Sequence, residues 1–207
     1  MKKTLALIIS MLMIVACFTA CGNTGDNGDN GDTSTTSQGS DAILIPEESL
    51  EGVEHGSFKK FTAVDLAGNK VTEDIFKGKK LTMINIWATF CSPCINEMYD
   101  FPQLIADNAD KDFQIVGIVC DVTYSGDGYE RSLLEDAQSL TQETGATYTH
   151  LLPSASLDMI KLSEVYSVPE TIFVDEDGKI IGSSYIGSRS LEGWQAVIDE
   201  VFASMDK

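Results

Sequence analysis

Basic side chains are scarce in this chain of 207 residues. It carries 14 lysine and arginine residues against 32 aspartate and glutamate residues, for a formal charge of −18 at pH 7. A basic surface attracts nucleic acid phosphates and anionic lipid headgroups, so this balance argues against both as partners. With a hydrophobic content of 43%, a chain of this length predicts one globular domain once other segments are set aside.

Residues that bind metal ions are also few. The chain has two histidines, His55 and His150, and one Cys-x-x-Cys motif, formed by Cys91 and Cys94. A structural zinc ion needs four ligands at suitable spacings, and no second Cys-x-x-Cys motif supplies the missing pair. We therefore predict no metal site.

A long hydrophobic run is missing as well. The apolar stretch near the start, Leu5 to Val15, is too short for a membrane span of about 20 residues. It follows Lys2 and Lys3, and this order of positive charge and apolar core is typical of a secretory signal peptide. The protein is therefore expected to be exported.

Two cysteines follow this run, Cys17 and Cys21, and each is preceded by alanine. Both resemble the lipobox of bacterial lipoproteins, in which the cysteine receives a diacylglycerol group and the chain is cleaved just before it. We favour Cys21 because a flexible spacer follows it, although Ile14 and Val15 favour Cys17. A secreted protein with unmodified cysteines is the alternative. The prediction is a lipoprotein signal peptide over residues 1–20.

Residues 22–41, with the sequence GNTGDNGDNGDTSTTSQGSD, contain no large apolar side chain. Such a segment cannot bury enough surface to offset the entropy that ordering costs. We predict the lipidated cysteine and a disordered tether over residues 21–45, followed by the folded domain over residues 46–207.

Within this domain, apolar clusters alternate with amphipathic stretches, which predicts an α/β fold. The apolar run Leu81 to Ala88 is expected to be a central strand, and the helix after it should kink at Pro102. Further strands are predicted at 61–65, near 71, and at 113–120, 148–152, 171–174 and 179–186, with helices at 129–144, 156–166 and from about 190. Strands separated by helices imply a mainly parallel sheet, with the last hairpin at an antiparallel edge.

The stretch WATFCSPC places Cys91 and Cys94 directly after the predicted central strand. At the start of a helix, free backbone N–H groups and the helix dipole stabilise negative charge, which favours the thiolate of Cys91. Pro93 in the first helical turn costs no hydrogen bond and stiffens the link. Cys94, one turn further on, can resolve a mixed disulfide formed at Cys91. The pair is predicted to alternate between dithiol and disulfide.

Two other interpretations of this pair are weaker. A purely structural disulfide is chemically possible, but closing so short a loop removes little chain entropy. A peroxidase acting through Cys91 alone would carry the peroxiredoxin motif Pro-x-x-x-Thr-x-x-Cys. Ile84 and Ala88 stand at the proline and threonine positions, so that motif is absent.

The stretch NIWATFCSPCINEM resembles the TlpA-like and ResA-like branch of the thioredoxin superfamily. A later VPETIFVD and the stretch DEDGK lie at thioredoxin-like separations, so the similarity extends from about Phe58 to the C-terminus. The resemblance implies a thioredoxin-like fold with an N-terminal β-hairpin extension and a mixed central sheet flanked by helices. It also implies thiol–disulfide exchange that needs no cofactor beyond the Cys91–Cys94 pair.

The resemblance assigns roles to residues near the pair. Cys91 would be the attacking thiol and Cys94 the resolving thiol, and Asn85 stands where ordinary thioredoxins keep a buried aspartate. Glu97 matches a glutamate that ResA-like proteins keep three residues after the second cysteine. If it is buried, its pKa should be raised and it could exchange protons with Cys94; the alternative is an exposed helix charge.

A second set of assignments concerns client binding. Pro169 resembles the cis-proline that faces the dithiol, and Val168 would then offer backbone hydrogen bonds to a client chain. The sequence departs from the family at Glu170, where threonine is usual, and at Tyr99, where proline is usual. Glu170 is expected to place a negative charge where clients dock.

The surface around the pair is predicted to include Phe90, Ser92 and Pro93, with Trp87 and Phe90 as an apolar collar. Cys120 ends a predicted strand at the same sheet edge. We interpret it as a small buried apolar residue, and the alternative is that it modulates the dithiol. Trp194 is expected to be a core residue.

Together these observations predict a lipid-anchored thiol–disulfide oxidoreductase on the outer face of the cytoplasmic membrane. By resemblance, it would reduce client protein disulfides, such as those of apocytochrome c or methionine sulfoxide reductase, with electrons from a membrane thiol transporter of the CcdA type. The alternatives are an oxidant or isomerase that uses the same residues, and a client- or solute-binding lipoprotein whose CSPC motif stays oxidised.

Overall fold

The computed structural model describes residues 43–126 and 128–205. The predicted signal peptide, Cys17, Cys21 and nearly all of the predicted tether lie outside the described residues. Ile43, the first described residue, packs against a core cluster. Within the described ranges, no helix combines the length and the apolar character needed to cross a membrane.

The helices and strands follow the predicted α/β order. The strands are β1 Thr62–Val64, β2 Lys70–Thr72, β3 Leu81–Trp87, β4 Phe113–Val119, β5 Tyr124–Ser125, β6 Gly128–Tyr129, β7 His150–Leu151, β8 Glu170–Val174 and β9 Ile180–Ile186. The α-helices are α1 Ser92–Met98, α2 Phe101–Asp107, α3 Arg131–Glu143, α4 Ala155–Ile160 and α5 Leu191–Met205. Short 3-10 helices span Glu73–Phe76, Ala109–Lys111 and Leu162–Glu164.

The main sheet has the strand order β7-β4-β3-β8-β9. Strand β3 pairs in parallel with β4 and antiparallel with β8, so the predicted central strand and the mixed sheet are confirmed. Every residue of β3 is buried, as its apolar run predicts for a strand covered on both faces. The predicted N-terminal hairpin is also present, as β1 paired with β2.

The two faces of the sheet pack into separate cores because successive side chains of a strand point in opposite directions. Met83 and Trp87 of β3 belong to the core that also contains residues of α1, α2 and α5. Ile84 and Ile86 belong to the core on the opposite face, with residues of α4. Asn85, which lies between them in the chain, points to the same face as Met83 and Trp87.

The helix after the cysteines differs from the prediction. It is not one helix kinked at Pro102 but two, because α1 ends at Met98 and α2 begins at Phe101. Pro102 lies in the first turn of α2, where its missing N–H costs no hydrogen bond. Tyr99 caps the end of α1, and its hydroxyl donates to Glu143 of α3 at 2.9 Å.

The helix predicted over 156–166 is also interrupted. The α-helical part ends at Ile160, and Lys161 leaves the helical region with φ −152° before a 3-10 turn begins. The predicted helix stop at Gly145 and the hairpin turn at Gly178 are confirmed, since both glycines have positive φ. At Gly178 a Cβ would lie 2.5 Å from the carbonyl oxygen of Phe58, so a side chain is excluded there.

Candidate active site

Cys91 and Cys94 form a disulfide bond at the start of α1, with their Cα atoms 5.3 Å apart. Cys91 is the N-cap of the helix, and its Sγ accepts a hydrogen bond from the Cys94 backbone N–H at 3.2 Å. Pro93 lies in the first turn, as predicted. The strand-to-helix junction thus places the Cys91 sulfur beside an N–H group of the first helical turn, which would favour negative charge on that sulfur once the disulfide is reduced.

The two sulfurs differ in their access to solvent. Cys91 is 4% exposed and Cys94 is fully buried. The neighbouring Phe90, Ser92 and Pro93 are exposed, and the Phe90 side chain reaches 77%. Of the two cysteines, Cys91 is therefore the one that solvent reaches, and the three exposed residues form a rim beside it.

Trp87 does not belong to that rim, so its predicted place in an apolar collar is wrong. Its side chain is fully buried. It lies on the inner face of β3, and its Nε1–H donates to Nδ1 of His150 at 3.0 Å. Strand alternation turns Trp87 into the core, while the loop that follows exposes Phe90.

That loop is held by a carboxylate that the sequence did not indicate. Asp121, just after β4, accepts hydrogen bonds from the Thr89 backbone N–H at 2.9 Å and from the Thr89 hydroxyl at 2.6 Å. Thr89 lies two residues before Cys91, so this contact restrains the approach to the disulfide. No local motif marks Asp121, because its partner lies 32 residues away.

Glu97 lies one turn beyond Cys94 and is buried, with 2% exposure. Its Oε1 accepts from Nδ2 of Asn85 at 2.9 Å, and its Oε2 accepts from Nε1 of Trp194 at 3.0 Å. Burial raises the pKa of Glu97, and these donors oppose the rise because they stabilise the carboxylate. The predicted buried carboxyl is confirmed, and the alternative of an exposed helix charge is wrong.

Two partners of Glu97 come from the far end of the chain and were not predicted as site residues. Trp194 has the helical spacing of a core residue, and that spacing gives no indication of its hydrogen bond to Glu97. Arg189 donates its backbone N–H to Oε2 of Glu97 at 3.2 Å. The Arg189 guanidinium lies over the Trp194 ring, 4.8 Å from its centroid.

A row of polar or small residues crosses the sheet beneath Glu97. Asn85 is paired with Gly117 on one side and Thr171 on the other, and Gly117 is paired with His150. The Nδ2 of Asn85 also donates to the Thr171 hydroxyl at 3.1 Å. Within this row, Asn85 is the residue that donates a hydrogen bond to Glu97.

His150 ends this row as a neutral base. Its Nδ1 accepts from Trp87, so Nε2 carries the proton and donates to the Ala146 carbonyl at 2.8 Å. Burial lowers the pKa of His150 to about 4. The ring stacks on Tyr148 with centroids 4.4 Å apart. His150 is thus a structural residue that packs against its neighbours.

The peptide bond between Val168 and Pro169 is cis, as the resemblance implies. Pro169 directly precedes β8, whose first residue Glu170 pairs with Ile86 near the end of β3. Pro169 therefore lies at the sheet edge where β3 leads into Cys91. The Gly187 backbone N–H donates to the Pro169 carbonyl at 2.9 Å.

Glu170 does not present a charge to clients, and that expectation is wrong. Its side chain is 3% exposed and points away from Glu97, into the opposite face of the sheet. Its Oε1 lies 2.7 Å from Nζ of Lys161, whose side chain is 13% exposed. The buried ion pair neutralises the carboxylate beneath the Pro169 loop.

Cys120 is half-buried and is not part of a disulfide. Its N–H donates to the carbonyl of Trp87 at 2.8 Å, which joins the ends of β4 and β3. Burial raises the pKa of the Cys120 thiol to about 11, with a further contribution from Asp121. A modulating role for Cys120 stays a prediction, and its neutral thiol favours the packing interpretation.

No cluster of three or more potential metal ligands is found among residues 43–126 and 128–205.

The chain is 26% identical over 121 residues to the thiol-disulfide oxidoreductase ResA of Bacillus thuringiensis, covering 58% of this chain and 63% of that relative. It is 26% identical over 148 residues to the thiol:disulfide interchange protein DsbE of Vibrio cholerae, covering 70% of this chain and 72% of DsbE. The chain thus spans less than two thirds of the ResA relative.

A solved structure shares the fold. The thioredoxin domain of a thiol-disulfide oxidoreductase from Bacteroides vulgatus superposes with a TM-score of 0.53 and 25% identity, over 72% of this chain and 99% of that domain. The thioredoxin-like fold is therefore confirmed. The family model described as "AhpC/TSA family" matches residues 56–183, which is more than half of the chain. The chain belongs to the AhpC/TSA family, and its relatives described above are named as a thiol-disulfide oxidoreductase and a thiol:disulfide interchange protein.

Proposed function

We propose that this chain is a thiol–disulfide oxidoreductase that reduces disulfides of client proteins outside the cytoplasm. The observation that carries the proposal is the Cys91–Cys94 disulfide at the start of α1, in which Cys91 is 4% exposed and Cys94 is fully buried. A pair of this kind can pass two electrons to a client and be reduced again. The similarity to ResA and DsbE supports the same chemistry.

The reaction begins with the reduced pair. The Cys91 thiolate attacks one sulfur of a client disulfide, so a Cys91–client disulfide forms and the other client sulfur leaves as a thiolate. Cys94 then loses its proton and attacks the Cys91 sulfur. The second client sulfur leaves, and Cys91 and Cys94 are joined again. Two electrons pass to the client, whose sulfurs take up two protons.

The structure suggests a role for Glu97 in the second step. Cys94 is fully buried, so its thiol needs a nearby proton acceptor before it can attack. Glu97 follows it by one helical turn on the same face of α1 and is a buried carboxyl with a raised pKa. A carboxylate whose pKa is raised is a stronger base, so it can accept the proton of Cys94.

Client binding is assigned to the rim around Cys91. Phe90, Ser92 and Pro93 are exposed beside Cys91, and Val168 and Pro169 lie at the same edge of the sheet. By resemblance to the family, the backbone of Val168 would pair with an extended client segment. Such pairing uses main-chain hydrogen bonds and therefore tolerates different client sequences.

The cellular setting is proposed from the sequence. The cationic start, the short apolar run and Cys21 support a lipid anchor on the outer face of the cytoplasmic membrane. Electrons would then come through the membrane from a thiol transporter of the CcdA type. Apocytochrome c and extracytoplasmic methionine sulfoxide reductase are the proposed clients.

The proposal is tested by trapping clients. In a Cys94→Ala variant expressed in cells, the Cys91–client disulfide cannot be resolved, so client adducts should accumulate on a non-reducing gel and be identifiable by mass spectrometry. The matched control is Cys91→Ala, which keeps Cys94 but should form no adducts. If Cys91→Ala keeps full biological effect and the reduced domain transfers no electrons to a model disulfide, the chain is a binding module instead.

The direction of electron flow is tested by the reduction potential. Related dithiols range from about −270 mV for a reductant to about −120 mV for an oxidant. A value near the lower limit supports the reductase. A value near the upper limit would assign the same residues to oxidation of clients.

A further inference from the structure

The C-terminal helix contributes a polar contact to the redox site. Trp194 lies in the first turn of α5 and is fully buried. Its indole N–H donates to Oε2 of Glu97 at 3.0 Å, across 97 residues of sequence. Since an indole N–H is only a donor, this bond favours the carboxylate over the protonated acid at that oxygen.

The loop before α5 contributes a second donor to the same oxygen. The Arg189 backbone N–H donates to Oε2 of Glu97 at 3.2 Å. The Arg189 guanidinium donates to the Gly187 carbonyl at 3.1 Å and covers the Trp194 ring. Gly187 in turn donates its N–H to Pro169 at 2.9 Å. The loop thus connects Glu97 to the proposed client-binding edge.

Other charged or titratable groups also surround Glu97. Arg189 favours the carboxylate by its positive charge, and the buried hydroxyl of Tyr148 has its pKa raised by burial and by the charge of Glu97. Cys94 lies one turn earlier on α1. His150, behind Tyr148, is neutral because burial lowers its pKa to about 4. Trp194 and Asn85 are the uncharged side chains that bond the Glu97 carboxylate directly.

We propose that Trp194 is a positioning residue for thiol–disulfide exchange: its indole N–H holds the Glu97 carboxylate and determines the pH at which Glu97 accepts the Cys94 proton. The inference rests on the proposed function. In the step concerned, the proton moves from the Cys94 thiol to the Glu97 carboxylate, and the Cys94 thiolate attacks the Cys91 sulfur of the mixed disulfide. The client sulfur leaves, and Glu97 releases its proton to solvent.

The first test measures the pKa of Glu97 in the oxidised protein, without any client. Carboxyl carbon signals of ¹³C-labelled glutamate are titrated by NMR, and Glu97→Gln identifies the signal of Glu97. Trp194 is replaced by 3-benzothienylalanine, which keeps the ring shape but has sulfur in place of the N–H. The pKa of Glu97 should rise by about one pH unit, because a hydrogen bond to the charged form is lost.

The matched control is the same replacement at Trp87. That indole donates to His150 and not to Glu97, so the Glu97 titration should not move. An unchanged Glu97 pKa in the Trp194 variant would overturn the proposal. An equal shift in both variants would also overturn it, because the effect would then come from general repacking of the core.

The second test follows the resolving step itself. A peptide is attached to Cys91 as a preformed mixed disulfide, and its release by Cys94 is measured from pH 5 to 9. In the variant that carries 3-benzothienylalanine in place of Trp194, the half-maximal rate should move to higher pH by about the shift seen in the titration. A merely structural defect would lower the rate at every pH without moving the profile, and that result would contradict the proposal.

The two tests separate this inference from the proposed function. A chain that reduces no client can still show the titration shift, because the oxidised protein needs no client for that measurement. If the chain exchanges disulfides but the pKa of Glu97 does not change when the Trp194 N–H is removed, the function is supported and the inference is refuted.

Discussion

The imidazole ring of His150 lies directly over the backbone of Gly117 on the neighbouring strand. A Cβ placed on Gly117 would be 2.1 Å from Nδ1 of His150, far inside van der Waals contact. The ring cannot easily move away, because it is bonded to Trp87 and Ala146 and stacked on Tyr148. Position 117 therefore requires glycine because the His150 ring leaves no space for a side chain. Backbone conformation is not the reason, since the φ of Gly117 is not in the left-handed region.

This relationship predicts that Gly117→Ala destabilises the protein by about 1–3 kcal/mol or more, since overpacking forces the ring or the strand to shift. Chemical denaturation of the two proteins at pH 7 measures the change. Gly126→Ala is the matched control, because a Cβ there meets nothing within 4 Å. Equal stability of Gly117→Ala and the parent protein would show that the ring is free to move.

Because His150 is buried and neutral, the free energy of unfolding is expected to depend on pH. Its folded-state pKa of about 4 lies below the ordinary value of 6.5, so the unfolded chain binds a proton where the native protein does not. The stability from neutral His150 is therefore fully present above pH 6.5 and is lost as the pH falls toward 4. The total loss is roughly 3 kcal/mol.

The comparison for this prediction is His150→Gln, whose amide can accept from Trp87 and donate to Ala146 but does not titrate. The difference in unfolding free energy between parent and variant should shrink or reverse as the pH is lowered from 7.5 to 4.5. Glu97 is present in both proteins, so its own titration cancels. A difference that stays constant over this range contradicts a buried neutral His150.

For the ion pair of Lys161 and Glu170, removal of the lysine alone is expected to lower stability more than removal of both charged side chains. Lys161→Met leaves the 3% exposed carboxylate without its cation, and the expected loss is about 3–5 kcal/mol. The double variant Lys161→Met with Glu170→Met should recover most of that loss, because no buried charge remains. Denaturation midpoints measure both changes.

The exposed pair of Arg131 and Glu135 serves as the control, since Arg131→Met should change stability far less. If Lys161→Met were as mild as Arg131→Met, Glu170 would have to take up a proton or reach solvent once Lys161 is gone, and the buried ion pair would not stabilise the protein.

The hydrogen bonds from Thr89 to Asp121 are expected to keep the loop before the disulfide ordered. Asp121→Ala removes the acceptor for the backbone N–H and the hydroxyl of Thr89, so the amide hydrogens of Thr89 and Phe90 should exchange at least about tenfold faster. Asp121→Asn keeps one acceptor oxygen and should show a smaller increase. Hydrogen exchange followed by NMR measures these rates.

Asp65→Ala is the matched control for this prediction. The Asp65 carboxylate also accepts two backbone N–H groups, from Ala67 and Asn69, but in the β1–β2 turn. Its loss should loosen that turn and leave Thr89 unchanged. If Asp121→Ala leaves the exchange of Thr89 unaltered, the loop is held by other contacts.

The part of the site that could be predicted depends on residues that are close together in the sequence. Cys91, Pro93 and Cys94 lie within one helical turn, and β3 before them is a continuous apolar run, so the dithiol and its central strand could be predicted from neighbouring residues. Glu97 was predicted from the resemblance to ResA-like proteins, and one helical turn brings it to the face of Cys94. Pro102 was placed in the correct helical region but not at the correct break, since a proline suits a first turn as well as a kink.

The predictions that were wrong, and the contacts that were not predicted, depend on partners far away in the chain. Whether Trp87 faces solvent or core, and whether Glu170 faces clients or Lys161, depends on which side of the sheet each strand position occupies. Asp121 and Thr89 are brought together by the parallel pairing of β3 and β4. Trp194 had the pattern of a core residue, and that pattern says nothing about where its N–H points.

The amino-acid sequence by itself determined that this protein has a reactive cysteine pair at a strand-to-helix junction in an α/β domain, because both depend on local spacing and hydrophobic periodicity. Only the tertiary structure decided how the buried carboxyl of Glu97 is held, since its donors come from β3, from the last helix and from the loop before that helix. Burial and these distant donors act on its pKa in opposite directions, and that balance exists only once the sheet and α5 have packed around α1.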